Sequence, residues 1–558
     1  MRSPAVTVFC SWSGANADAP WRERVLTVLR PLATQDLIAL WDEGPSAPDK
    51  AATQARAQSL SRAALFLALL SPDYLAVSER LAELQQARRR QAIGELVLIP
   101  VVLRACAWIG SVGDDLAPLP ADGLPLASRD DPDEGLRQIE HGLRQVLSSL
   151  LFERLRQRDV AAAGLLCFCA CLAPEAIPEL LLTRGLARLP HPLAATAADG
   201  SALTTLQSEA LLMRDPQRET LQIHMLMREA LPERLPAEEQ VAWKRLAIEA
   251  LAIAYPGQER EHWPTYEGLL PHALHCAAWI TQEPALQTAT AASLLQQAGT
   301  YLRQQGRYQE AAPLFERALS IRERVLGPDQ AETATSLSDL AFVYRFLGRS
   351  SEALPLLERA LSIRERVLGS AHPLTAATLE HLASLYLSSG RLAEAFPLFE
   401  RLAPLSEQVF GPSDPRTLSV LNALALCYER LNRLPEACAL FEQALALSEQ
   451  AHQPHPSLTG SIAHNLALLY RRLGRLAEAL PLLERALTLL EQTFGPADRR
   501  VAATLYNLAL LYKDVGRSDE ALPLLERALA IYERAAGPDH PLTRQLRTTY
   551  RLFRAEAG

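Results

Sequence analysis

The chain has 558 residues, of which 49% are hydrophobic, and its formal net charge is −8 at pH 7. This length allows about three to four domains with sizeable cores. A negative balance spread over so long a chain argues against nucleic acid as the main partner. The longest uncharged apolar stretch, 160–173, is too short to cross a bilayer, so we expect a cytoplasmic protein that does not insert into membranes.

Short apolar runs alternate with helical patterns in the first 110 residues. The runs are 5–10, 37–40, 64–70 and 96–103, and the stretch 19–33 is typical of the helices between them. Near-continuous apolar strands separated by helices predict a parallel sheet that is covered on both faces. Ligands of such sheets bind beyond the carboxyl ends of the strands. The residues expected at this edge are Ser11, Trp12, Trp41, Asp42, Ser71 to Tyr74, and Arg104.

Four segments resemble bacterial TIR domains in sequence and in order. VFCSWSGANADAPWRERV (8–25) resembles the opening strand and helix, and LIALWDEGPSAP (37–48) resembles the second strand with the BB loop. LLSPDYLAVSERLAEL (69–84) is similar to the stretch that leads into the catalytic helix, and VLIPVVLRACAW (97–108) to the strand after it. The resemblance implies a flavodoxin-like α/β domain at 1–150.

Many TIR domains cleave the bond between nicotinamide and ribose in NAD, using one Glu. The resemblance places Glu83 at this catalytic position, with Glu79 and Arg80 where the family has an aromatic residue and a Cys. A single carboxylate suits the chemistry, because it can stabilise the oxocarbenium character that develops on the ribose. NAD is then the substrate, and neither a cofactor nor a metal is expected.

The other residues expected to contact substrate are Ser11, Trp12, Trp41, Asp42 and Ser71. The alternative for Glu83 is an ordinary surface carboxylate. Apolar residues at 77, 81 and 84 predict the buried face of its helix, which would place Glu79 and Glu83 together on a different face.

Residues 151–285 resemble the winged-helix segment and helical connector of bacterial NB-ARC proteins with tetratricopeptide tails. The stretches that carry this resemblance are 164–182, 203–231 and 263–274, and His224 matches a wing histidine that touches nucleotide phosphate in that family. No phosphate-binding Gly-x-x-x-x-Gly-Lys-Ser/Thr loop occurs in the sequence. We therefore expect an all-α winged-helix-like connector without an ATP switch, in which His224 and the nearby Cys167, Cys169 and Cys171 have packing roles.

Turn-forming residues recur every 42 positions in the C-terminal half. One series is Gly306, Gly348, Gly390, Asn432, Gly474 and Gly516, and a second is Gly327, Gly369, Gly411, Gly495 and Gly537, with Gln453 once in place of Gly. Two helix stops in each period predict stacked helical hairpins. LLYRRLGRLAEALPLLERAL (468–487) resembles a tetratricopeptide repeat (TPR), and linkers such as GPDHPLT (537–543) resemble the kinesin-light-chain type. The resemblance implies an α-solenoid at 286–558, with six units and a capping helix at 541–556.

In that subfamily an Asn on the first helix of each unit faces the concave groove and holds peptide backbone. Asn465 and Asn507 match this position, while Asp339, His381 and Ala423 occupy it in other units. The implied partner is a protein or peptide in the groove; the alternative is that these are solvated positions between core stripes.

Together these resemblances predict an immune-type receptor. The TPR array would sense a protein or peptide, and TIR self-association would activate NAD cleavage to nicotinamide and an ADP-ribose product, in anti-phage defence. A non-catalytic TIR/TPR adaptor is the main alternative, and an enzyme that makes a cyclic ADP-ribose messenger is a further one.

Overall fold

The computed structural model describes residues 6–35, 37–42, 50–112, 115–255, 263–451 and 455–557. Most of the predicted BB loop (43–48) and Gln453 lie outside these ranges. The chain divides into two units, Met1–Tyr301 and Leu302–Gly558. The finer boundaries at 150 and 285 stay predictions, and one helix, Pro132–Arg158, runs through residue 150.

The first unit begins with a four-stranded parallel sheet in the order β2-β1-β3-β4. Its strands are β1 Val6–Ser11, β2 Ile38–Asp42, β3 Leu65–Leu70 and β4 Val97–Val102. The helices are α1 Ala19–Thr34, α2 Lys50–Arg62, α3 Pro72–Ala76, α4 Ser78–Ala92, α5 Trp108–Val112 and α6 Pro132–Arg158. Every residue of β3 is buried, as expected for a central strand covered on both faces. The predicted α/β domain is confirmed. Strand β2 is added on one side of β1, and β3 and β4 are added on the other side. The strand order therefore reverses between β1 and β3, where such folds open a crevice.

The connector contains a second, smaller sheet. Its helices are α7 Val160–Ala170, α8 Leu193–Asp199, α9 Ser201–Ser208, α10 Met225–Arg234, α11 Ala237–Ala254 and α12 Trp263–Gln282. Strands β5 Ile177–Pro178, β6 Leu212–Asp215 and β7 Thr220–Ile223 pair antiparallel in the order β5-β7-β6. The expectation of an all-α connector is therefore wrong. A turn at 216–219 brings β6 against β7, and buried Leu212 and Ile223 face each other across the pair.

The repeat array consists of successive helix pairs of nearly constant length. The helices are α13 Ala289–Gln304, α14 Tyr308–Val325, α15 Ala331–Phe346, α16 Ser350–Val367, α17 Pro373–Ser388, α18 Leu392–Phe410, α19 Pro415–Arg430, α20 Leu434–Gln450, α21 Pro456–Arg472, α22 Leu476–Phe494, α23 Arg499–Asp514, α24 Ser518–Ala536 and α25 Pro541–Ala557. In chain order these helices form six pairs followed by a single last helix, which is the arrangement that the 42-residue spacing predicts. Among the described residues, none of the helices combines the length and apolar character needed to cross a bilayer.

A residue in the left-handed backbone conformation follows the first helix of each pair, as the sequence predicts. The φ angles of the five glycines in this series lie between +75° and +79°, and Asn432 adopts +60°. Both residue types tolerate this conformation. Each first helix is thereby stopped at the same point, which keeps the next helix in register with the 42-residue period.

A tyrosine–glutamate hydrogen bond links each helix pair to the next one. The Tyr hydroxyl near the end of a first helix donates to a Glu on the second helix of the preceding pair. The links are Tyr344 to Glu316, Tyr386 to Glu358, Tyr428 to Glu400, Tyr470 to Glu442 and Tyr512 to Glu484. An Arg five residues after each Tyr lies 3.9–4.6 Å from the ring centroid. Neighbouring units are therefore joined by the same polar contact, in addition to their apolar stripes.

Replacing Gly474 by Ala tests the left-handed stop. An added Cβ would meet nothing within 4 Å, so the cost should be the backbone strain alone, about 1 kcal/mol. Asn432→Gly should be neutral or slightly stabilising, because glycine adopts the same conformation with less strain. Midpoints of denaturant unfolding followed by circular dichroism would measure both. A Gly474→Ala variant as stable as the natural chain would contradict this account.

Candidate functional site

Glu83 lies on α4 and points to the carboxyl edge of the parallel sheet. Its Oε2 accepts a hydrogen bond of 2.9 Å from the hydroxyl of Ser11, the last residue of β1. The Tyr74 hydroxyl donates to Ser11 Oγ at 3.1 Å, and both Ser11 and Tyr74 are fully buried. A hydrogen-bonded chain from the core thus fixes the carboxylate near the point where the strand order reverses, and Ser11 is where the sequence predicted it.

Two arginines also bind the Glu83 carboxylate. Arg56, from α2, donates through Nε to Oε1 and through Nη2 to Oε2, the latter at 2.7 Å. Arg80, one turn earlier on α4, donates through Nη1 to Oε1 at 3.3 Å. The side chains of Arg56 and Glu83 are only 11% and 13% exposed. With Ser11, four donors reach this carboxylate, which offers about four acceptor positions.

The surroundings of Glu83 have opposing effects on its ionisation. Burial raises the pKa of its carboxyl to about 7, while Arg80 and the Ser11 hydroxyl lower it and Glu79 raises it further. The two-point contact with Arg56 also favours the charged form. Burial is the largest of the effects on this pKa.

The expectation that Glu83 lies on a face away from the buried side of its helix is wrong. Glu79 is exposed, whereas Glu83 is partly buried next to Leu84 and on the same side as Ala87. The true inward face includes Arg80, Glu83, Leu84 and Ala87, which are spaced as neighbours on a helix. An ion pair can be buried where an apolar pattern alone predicts a solvated face.

Aromatic side chains line the other side of Arg56. The rings of Phe9 on β1 and Trp41 on β2 stack with centroids 4.5 Å apart, because these residues are partners in the sheet register. The Arg56 guanidinium carbon lies 5.5 Å from the Phe9 centroid and 5.1 Å from that of Trp41. Trp41, a predicted substrate residue, therefore belongs to the same cluster as Glu83, with Arg56 between them.

Trp12 and Asp42, two further predicted substrate residues, come together around Arg22 of α1. Asp42 accepts from Arg22 Nε at 2.9 Å and also from Nη2. The same guanidinium lies 4.6 Å from the Trp12 ring centroid, and Trp12 is buried. Their contacts therefore secure the start of α1 against the end of β2.

Ser71, the last of the predicted substrate residues, belongs to a clamp around Asp18. The Asp18 carboxylate is fully buried and accepts hydrogen bonds from Ser13, Ser71 and Arg104, the last through Nε at 2.7 Å. Ser71 Oγ in turn accepts from the Tyr74 amide and caps α3. Segments following β1, β3 and β4 are thus tied to one carboxylate, which shapes the edge where Glu83 lies.

Sequence reasoning missed Arg56, Asp18 and Arg22. It considered the residues at the ends of strands, whereas Arg56 lies within α2 and Arg22 within α1. A lone Arg in a polar helix gives no signal of its own. Asp18 directly precedes a helix, where an acidic residue is ordinary, so its role as a buried clamp is visible only in three dimensions.

In the first units of the array, the predicted groove residues lie among cations and aromatic rings. Asp339 Oδ1 is 3.7 Å from Arg303 Nη1, and the Arg303 guanidinium lies 4.9 Å from the Phe342 centroid. The Phe342 and His381 centroids are 6.2 Å apart. Burial, with the nearby cations Arg345 and Arg303, lowers the pKa of His381 to about 4. This end of the row is therefore a mixed cationic and aromatic surface with a neutral histidine.

In the later units the predicted residues bond to side chains one unit away. Asn465 donates to Asn422 Oδ1 at 3.0 Å, and Asn507 Nδ2 lies 3.2 Å from His464 Nε2. His464 Nδ1 is 3.1 Å from the Thr504 hydroxyl, whose own proton goes to a backbone carbonyl. Neutral His464 with the proton on Nδ1 satisfies all these contacts, and burial lowers its pKa to about 4. The asparagines are thus held in place by neighbours.

The remaining sequence candidates have structural contacts. His224 caps α10 by accepting from the Leu226 amide, and its Nε2 lies 2.7 Å from Gln35 Oε1 on the turn that ends α1. Cys167, Cys169 and Cys171 are buried as expected, and burial raises the pKa of each thiol. In the described parts of the chain, no cluster of three His, Cys, Asp or Glu side chains is arranged to hold a metal.

Comparison with known proteins defines the class of the C-terminal region. The tetratricopeptide repeat family matches residues 288–366, 340–406, 374–450, 458–534 and 500–550. This region is therefore a tetratricopeptide repeat array, a class of fold that binds protein partners.

Each of the similar proteins matches only part of this chain. An uncharacterized protein, y4lF, from Sinorhizobium fredii is 29% identical over 140 residues, or 25% of this chain and 43% of that protein. The chain thus matches less than half the length of this curated relative. Similar solved structures include a putative kinesin light chain with nearly identical TPR-like repeats from Podosopora anserina, at 29% identity over 37% of this chain and 99% of that chain, with a TM-score of 0.32. BtubC (BKLC) from P. vanneervenii is 19% identical over 43% of this chain and 94% of that chain, with a TM-score of 0.36.

Asp18→Ala tests the clamp at the carboxyl edge. Removing a fully buried carboxylate leaves Arg104, Ser13 and Ser71 without their shared acceptor, so the free energy of unfolding should fall by about 3 kcal/mol. Asp115→Ala is the matched control, because Asp115 and its partner Arg88 are 68% and 43% exposed and the change should be below about 1 kcal/mol. Denaturant unfolding would measure both, and equal losses in the two variants would show that Asp18 is not a clamp.

Proposed function

We propose that the α/β domain is a TIR domain that cleaves NAD, and that the TPR array controls it by binding a protein or peptide. The observation that carries this proposal is the placement of Glu83. The residue that the TIR resemblance marks as catalytic lies at the carboxyl edge of a parallel sheet, near the reversal of strand order, with Ser11 and Trp41 in the same cluster. Ligands of this fold class bind at that position.

The proposed reaction needs one carboxylate and a well-placed substrate. The bond between nicotinamide nitrogen and ribose C1′ breaks with its electron pair going to nicotinamide, and ionised Glu83 stabilises the positive charge that develops on the ribose. A water molecule then adds to C1′ and releases a proton, which gives nicotinamide and ADP-ribose. Attack by a nitrogen of the adenine instead of water would give a cyclic product, and both outcomes share the first step.

Control by the array is proposed because repeats of this class bind protein partners. An extended row of cross-unit side chains, including Asp339, His381, Asn465 and Asn507, changes from cationic and aromatic to neutral and amide-rich along its length. Such a row can distinguish one peptide from another. A bound partner would then bring TIR domains together and start NAD cleavage, and the proposed setting is defence against phage.

A non-catalytic adaptor is the second candidate, and one observation favours it. The acceptor positions of Glu83 are occupied by Ser11, Arg56 and Arg80, as in a carboxylate that only holds structure together. The TIR domain would then act by association alone, while the array binds its partner in the same way.

Substitution of Glu83 separates the two candidates. Glu83→Gln keeps the shape and removes the charge, so NAD cleavage by protein clustered through a fused dimerising domain should fall by about 100-fold. Glu79→Gln is the control, because Glu79 is an exposed neighbour on the same helix, and it should retain cleavage. Chromatographic separation of nicotinamide and the ADP-ribose products would measure the rates. No cleavage by the clustered natural chain would favour the adaptor, and equal loss in both variants would place the active carboxylate elsewhere.

A double substitution, Asn465→Ala with Asn507→Ala, tests the sensor. We expect the loss of NAD in expressing bacteria during phage challenge to become at least about tenfold slower, because two amides that contact the partner are gone. Cleavage after forced clustering should be unchanged. Thr488→Ala with Thr493→Ala, on the exposed face of α22, is the control and should behave like the natural chain. If the asparagine variant also lost cleavage after forced clustering, the division into sensor and effector would be wrong.

A further inference from the structure

Every acceptor position of the Glu83 carboxylate is occupied in this structure. Both oxygens accept two hydrogen bonds each, from Ser11, Arg56 and Arg80. A ribose hydroxyl that donates to Glu83 would need one of these four acceptor positions. At least one donor must therefore leave before the carboxylate can engage a substrate.

The positive charges next to Glu83 also indicate that a donor must leave before the carboxylate can act. Arg56 and Arg80 each place a guanidinium against the Glu83 carboxylate. A developing oxocarbenium ion is stabilised by an exposed negative charge and is disfavoured next to cations. The arginine pair therefore suppresses the electrostatic effect for which the carboxylate would be used.

Of the three residues that donate to Glu83, Arg56 is the one that lies neither on the sheet nor on the helix of Glu83. Ser11 is fully buried at the end of β1, and Arg80 lies on the same helix as Glu83, three residues away. Arg56 comes from α2, 27 residues distant in sequence, and provides two of the four hydrogen bonds. Its guanidinium also lies between Glu83 and the Trp41 ring, so its departure would open space between the carboxylate and an aromatic wall.

We propose that Arg56 forms an inhibitory ion pair with Glu83, and that the site becomes competent only when the Arg56 guanidinium withdraws. The inference rests on the proposed NAD cleavage by Glu83. It explains how the same carboxylate has the contacts of a structural residue in the resting protein and acts as a catalytic residue after activation. Withdrawal of Arg56 is then the event that clustering of the domains must bring about.

The test uses the full chain and three variants on α2. Arg56→Gln removes the cation while keeping a polar side chain, and Arg56→Lys keeps the cation but loses the two-point geometry. Arg62→Gln is the matched control, because Arg62 is an exposed residue of the same helix. Rates of nicotinamide release from NAD are measured with and without forced clustering, and circular dichroism with thermal melting establishes which variants are folded.

Without clustering, Arg56→Gln should release nicotinamide at least tenfold faster than Arg62→Gln, and Arg56→Lys should show a smaller increase. The added substitution Glu83→Gln should abolish the gain. Clustering should raise the rate of the natural chain strongly and that of Arg56→Gln only slightly, since the ion pair is already absent. If Arg56→Gln does not fold, a rate for Arg56→Lys that is higher than that of Arg62→Gln carries the test.

Three outcomes would overturn the inference, and they are distinguishable. If the clustered natural chain cleaves NAD but the folded Arg56 variants are no faster than Arg62→Gln without clustering, the ion pair is not inhibitory and the proposed function stands. If the Arg56 variants are slower than the control even when clustered, Arg56 positions the substrate instead. If neither the clustered natural chain nor Arg56→Gln cleaves NAD, the proposed function fails, and the inhibitory role fails with it.

Discussion

The candidate site depends on the hydrogen bonds that the buried carboxylate of Asp18 accepts. A charged group removed from water must be paired and hydrogen-bonded, and Asp18 obtains its partners from segments that follow three different strands. The loops at the carboxyl edge are therefore fixed by an electrostatic requirement rather than by apolar packing alone. Ser71, which donates to Asp18, also caps α3 just ahead of the helix that carries Glu83.

The sequence was sufficient for the parts of the fold that follow from periodicity. Apolar runs predicted all four strands of the parallel sheet, and the 42-residue spacing predicted each helix pair, because both patterns reflect burial that every residue in the element shares. The small β5-β7-β6 sheet was missed, since its strands are two to four residues long. Runs this short have too few positions to show alternation.

The candidate site was only partly predictable for a related reason. Ser11, Trp41 and Glu83 were located because they occupy places defined by strand ends or by the TIR resemblance. Arg56 was not, because its role depends on a contact between two helices that are not adjacent in sequence. The inward position of Glu83 was also missed, since an apolar pattern cannot show that a carboxylate is buried with its own cation. Long-range charge pairing is the information that a pattern of hydrophobicity lacks.

The tyrosine–glutamate link between neighbouring pairs has a consequence for the history of the array. Because the same donor and acceptor recur at the same 42-residue spacing, this link can form at the junction between any two units. In-frame duplication or loss of one unit would therefore lengthen or shorten the array while keeping the link at every remaining junction. The residues at 339, 381, 465 and 507 lie outside the link, so they can differ between copies without breaking it. Such an architecture can change what it recognises by exchanging units, at little risk to its fold.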